Sequence, residues 1–211
     1  MLVPPEGEPT PLLLTVPRML ATSSYRLDLG QLWEKRLEMV GEVNARGLEE
    51  AERNIAKLLG NIKLSRLLHG MGANQRVVVA QQKEQPYKIR PITAIPGFAV
   101  VFDMRDPGFA KDMNAVLRSA ALAATFQFGL RLKETTYKDC EIISYYFSEI
   151  KKVEGDPDRT RFNFSPSYVR VGNHFVVSAT AELAHDLVDA LLAEKAGNAS
   201  PASARTRLHA A

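Results

Sequence analysis

The side chains here with the widest chemical reach are one cysteine, Cys140, and four histidines, His69, His174, His185 and His209. A cysteine nucleophile needs a neighbouring base or cation and partial exposure. Cys140 instead stands between Asp139 and Glu141, whose charges favour the protonated thiol, so a structural cysteine is expected. A lone cysteine also excludes an intrachain disulfide and a cysteine-based zinc site. The histidines show no His-Glu-x-x-His spacing and no adjacent second ligand. No catalytic residue, metal ligand or cofactor is therefore assigned, and the chain is not expected to be an enzyme.

Two further motifs fail on context. Gly70-x-Gly72 lacks the third glycine of a dinucleotide loop, and it follows a helical pattern where that loop follows a strand. Glu154, Asp156 and Asp158 surround Gly155, but the run ends in Arg159 and Arg161, too short for a calcium loop. The aromatic residues carry more. Tyr145 and Phe147 alternate onto one face of a strand. With Phe162, Phe164 and Tyr168 they form the expected interaction face, exposed if helices cover only the other side of the sheet.

These residues need a scaffold, and the sequence marks it. The chain has 211 residues, 45% of them hydrophobic, enough for one domain with a substantial core. The net charge of +3 is spread among acids, without the basic stripe of a nucleic-acid binder, so no nucleic-acid partner is expected. No apolar run approaches the roughly 18 residues of a membrane span, and Leu12–Val16 is too short for a signal-peptide core. Residues 1–17 are expected to be a flexible leader or linker, 18–196 a single domain and 197–211 a disordered tail.

Within that domain Met19–Leu27 predicts a strand. Asp28 with Gln31 has capping-box spacing, and Leu29, Leu32, Trp33, Leu37, Val40, Leu48 and Ile55 mark the inner face of a long helix. A bend is expected near residues 44–47. A short helix over 65–69 precedes strands at 75–82 and 98–102. Asp106-Pro107 starts a helix with buried Phe109, Met113, Val116 and Phe128. A hairpin is expected over 132–147, and Gly172-Asn173 predicts a tight turn in a second. Thr180 caps a last helix with Leu183, Leu187, Val188 and Leu191 inward. The fold class is α+β, a largely antiparallel sheet with helices packed mainly on one face.

Gly97–Phe102 running into Asp106-Pro107, the Tyr137–Ile142 strand, and Pro166–Ser178 entering the last helix together resemble a family of uncharacterised bacterial proteins. That family is built of repeated strand–helix–hairpin units. The resemblance covers roughly residues 75–195. It implies an extracytoplasmic, often membrane-anchored setting with no established activity and no functional residues to transfer. This chain carries no recognisable export signal, so its location is unassigned. The expected function is a noncatalytic interaction or structural module whose partner is a protein, an upstream repeat or a second copy. The alternatives are a small-molecule or lipid-binding domain with an apolar pocket between the 107–129 helix and the sheet, and a hydrolase with a cryptic site.

Overall fold

The computed structural model describes residues 12–58, 60–83 and 86–197; His209 and most of the expected tail lie outside them. Among these residues seven strands form one antiparallel sheet. They are β1 (Met19–Arg26), β2 (Met71–Ala80), β3 (Gly97–Met104), β4 (Arg131–Tyr137), β5 (Cys140–Tyr146), β6 (Ser167–Val171) and β7 (His174–Ser178), in spatial order β1-β2-β3-β7-β6-β5-β4. Among the described residues five α-helices accompany them: α1 (Leu29–Glu34), α2 (Arg36–Leu58), α3 (Leu64–Gly70), α4 (Gly108–Phe128) and α5 (Ala181–Lys195). The α+β class and the antiparallel sheet are as the pattern predicts.

Local chemistry sets most boundaries. Asp28 Oδ1 accepts the Gln31 N–H at 3.0 Å and starts α1. Thr180 Oγ1 accepts the Leu183 N–H at 3.2 Å and starts α5. Asp106 Oδ1 accepts the Gly108 N–H at 2.8 Å at the head of α4. The β6–β7 turn needs a positive φ at Gly172 (58°), as a two-residue hairpin turn requires.

The helices divide between the two faces of the sheet instead of gathering on one. On the first face Val101, Val176, Val169 and Ile142 lie side by side across four strands. They pack against Leu183, Leu187, Val188 and Leu191 of α5. On the second face Ile143, Tyr145, Tyr168 and Phe175 pack against Phe109, Val116 and Ala121 of α4, with Leu67 of α3. The physical reason is the strand composition. Val169 and its neighbour Tyr168 are both apolar and both buried, as are Val176 and Phe175, so these strands are two-sided.

Two other expectations are corrected. Leu14 and Val16 are buried in the α5 core, so the packed domain begins before residue 18. Their two-residue spacing is that of an extended segment with one face inward. The break in the long helix falls at Gly41 (φ 76°, ψ 167°), not at 44–47, and Gly47 stays helical.

Candidate functional site

The five aromatic residues expected to form an open face are largely interior. Tyr145 and Tyr168 are buried beneath α4, and Phe162 is buried beside Tyr87 at 5.0 Å between ring centroids. Phe147 and Phe164 are half-buried. Tyr87 joins them through its hydroxyl, which donates to the Phe164 carbonyl at 2.7 Å and accepts the Phe147 N–H at 3.0 Å. Burial pushes this hydroxyl's pKa up to about 12. The face is closed because α4 covers Tyr145 and Tyr168 and Tyr87 covers Phe162 and Phe164.

What lies open instead is the back of α4. The strip Ala115, Ser119, Leu122 and Phe126 follows the spacing of one helix face, and Leu122 and Phe126 are 64% and 81% exposed. Ile150, 85% exposed, belongs to the loop whose Lys151 Nζ donates to the Phe126 carbonyl. Leu132, 48% exposed, lies on edge strand β4 opposite Tyr145. From Ser119 to Leu130 the sequence holds no charged residue. Arg118, just before it, pairs with Glu134 at 2.5 Å. A helix apolar all round is normally buried all round; α4 is covered on one side only. Two isolated exposed side chains on the β1–β3 half of the same face are Phe98, 53% exposed, and Tyr25, 42% exposed, set two strands and four register positions apart.

The polar groups form constellations that the spacing does not reveal. Asp103 is an acceptor, so His174 Nδ1–H donates to its Oδ1 at 2.9 Å; Asn74 donates to Oδ2 at 3.0 Å. Burial alone would raise the Asp103 pKa, but these bonds outweigh it and hold the carboxyl below its usual value. Beside them Arg76, only 1% exposed, pairs with Glu194 of α5 at 2.7 Å. Asp103 and His174 meet through β3–β7 register, a relation between residues 71 positions apart.

Cys140 is separated from His174 by strand β6, so two strand spacings put them roughly 10 Å apart. Burial, then Asp139, raises the Cys140 pKa, as the flanking acids predict. His69 Nε2 lies 3.8 Å from Glu34 at the surface. His185 Nδ1–H donates to the Ala181 carbonyl at 2.7 Å. Among the described residues no three His, Cys, Asp or Glu side chains converge as metal ligands would.

A cleft of about 460 Å³ opens at the start of α5, lined in part by Arg18, Tyr146, Thr180, His185 and Asp186. Arg18 bridges Glu182 at 2.6 Å and Asp186 at 3.2 Å, so its main charges already answer each other. Burial raises the Asp186 pKa against the pull of Arg18, and Glu182 and Asp189 add to the rise. The space between α4 and the sheet, the expected apolar pocket, holds the packed side chains of Phe109, Val116, Tyr168 and Phe175. Among the described residues no helix is long and apolar enough to cross a membrane.

No family model matches the chain, and no curated protein or solved structure matches it.

Proposed function

We propose that this chain is a noncatalytic interaction module that binds a protein partner through the outward side of α4. The observation that carries the reading is the pairing of composition with position: a charge-free stretch, Ser119–Leu130, presents Leu122 and Phe126 to solvent. Apolar surface of this kind, rimmed by charge, is characteristic of protein interfaces. The rim is present in Arg118, Glu134 and Lys151.

The test is cross-linking of the natively expressed protein through its rim lysines, read by mass spectrometry. Links to protein are expected from Lys151, which reaches the Phe126 carbonyl, and from its exposed neighbour Lys152, and Leu122→Glu combined with Phe126→Asp should abolish them while far-UV dichroism stays unchanged. Links that survive the double substitution would sink the reading. A small-ligand role draws its support from the α5 cleft. Shifts of the His185 ring resonances in a fragment screen would check it, and a ring blind to every fragment would remove it.

A further inference from the structure

We infer that the partner on α4 is a second copy of this chain, held across a two-fold axis that passes beside Leu122. The inference rests on the interaction reading above and names its occupant.

Area comes first. The exposed parts of Leu122, Phe126, Ile150 and Leu132 amount to ~400 Å² of apolar surface, taking side chains of this kind at roughly 150–200 Å² each. A standard interface buries about 800 Å² per partner, a little over half of it apolar. The patch therefore supplies about the apolar share of one standard half-interface.

Charge then selects the partner. In a two-fold contact the same patch meets itself, so an unpaired charge at its centre would face its own copy. The centre of this patch has none, since residues 119–130 are uncharged and the adjacent Arg118 is neutralised by Glu134. A foreign partner chosen by electrostatic complementarity would need a sign to read at the centre of its contact, and the centre of this patch offers none.

Shape agrees with self-pairing. When two α4 helices cross antiparallel with Leu122 on the axis, residue positions on the two copies sum to a constant. Phe126, four residues after Leu122, then falls over the partner's Arg118, four residues before it, with Ala115 and Ser119 beside that position. The exposed Ala115 leaves room for the ring beside the Arg118 guanidinium, which Glu134 draws aside, while Leu122 meets its own copy. Each ring thus meets a guanidinium and a small side chain of the other copy, an arrangement that arginine and aromatic side chains favour.

Sedimentation velocity on the full chain, together with disulfide trapping, tests the inference. A dimer is expected at tens of micromolar, and Leu122→Glu with Phe126→Asp should weaken it by roughly 100-fold, as loss of central apolar anchors does. In a Cys140→Ser background, Leu122→Cys treated with diamide should give a covalent dimer on a non-reducing gel, because an axial position pairs with itself. Val43→Cys, at an exposed site on α2, should not. Trapping with the natural side chains elsewhere keeps the test valid if the charged double variant misfolds. A monomer at those concentrations overturns the inference, as does a dimer indifferent to the double substitution. If the chain is monomeric yet its rim lysines still link to other proteins through α4, the interaction reading stands and only self-pairing falls. If neither association occurs, both fall.

Discussion

Arg76 is a full positive charge held almost entirely out of water, and Glu194 answers it from the last turn of α5. Glu194→Ala leaves the guanidinium buried without this partner. The expected loss is about 1–3 kcal/mol, below the figure for fully buried pairs because Glu194 is partly exposed. Arg76→Met removes the buried charge and keeps a long apolar stem, so it should cost less. The double variant should match Arg76→Met alone, with urea unfolding as the measurement. Asp103 makes a pH-dependent contribution. Its folded pKa lies below the unfolded one, so in the window between them the unfolded chain binds the proton more readily. This stability is complete above the unfolded pKa and fades as pH falls through the folded value. Asp103→Asn should therefore destabilise most at neutral pH, and its gap from the parent should shrink on acidification. None of this network was legible in the sequence, because it is assembled by strand register. The caps at Asp28 and Thr180 were legible, because donor and acceptor lie three residues apart.

Among the elements, α2 shows where periodicity stops informing. The apolar spacing of Leu37, Val40, Leu48 and Ile55 predicts a buried face, yet all four are exposed, while Ala45 and Ala56 are buried. Periodicity states that a helix has an apolar side; it does not state what lies against it. The break at Gly41 explains part of the difference. It turns the chain so that Arg36 pairs with Glu49 at 2.5 Å, and the residues beyond it present a new side. Gly41 occupies a backbone region that side chains avoid, and an added Cβ would touch nothing within 4 Å. Gly41→Ala should thus cost ~1–3 kcal/mol of backbone strain and no steric clash. Faster amide exchange confined to residues 36–58, with β3 and β7 still protected, is the expected result. The two-sided sheet was half legible in the same way. Neighbouring apolar pairs such as Tyr168-Val169 announce two buried faces, but alternation read one face at a time credits only one.

At the scale of the whole molecule, one sheet serves two cores, so neither can melt alone without exposing the back of the other. Leu187→Ala, under α5, and Phe109→Ala, under α4, remove fully buried side chains from opposite faces, and each should cost about 2–5 kcal/mol. Both should shift a single cooperative transition of the sheet. Helix α2 stands outside that unit, with Leu37, Met39, Val43 and Leu48 in water and little apolar burial to hold it. The chain's single tryptophan, Trp33, sits at the root of this arm, with the Arg36 guanidinium 5.1 Å from its ring centre. Regions with little buried apolar surface open below the global unfolding free energy. Tryptophan fluorescence should therefore change at lower urea than the loss of amide protection in strands β3 and β7. Superimposed curves would mean that the arm is part of the cooperative core, and the exposed side chains of α2 would then need a partner to account for its stability.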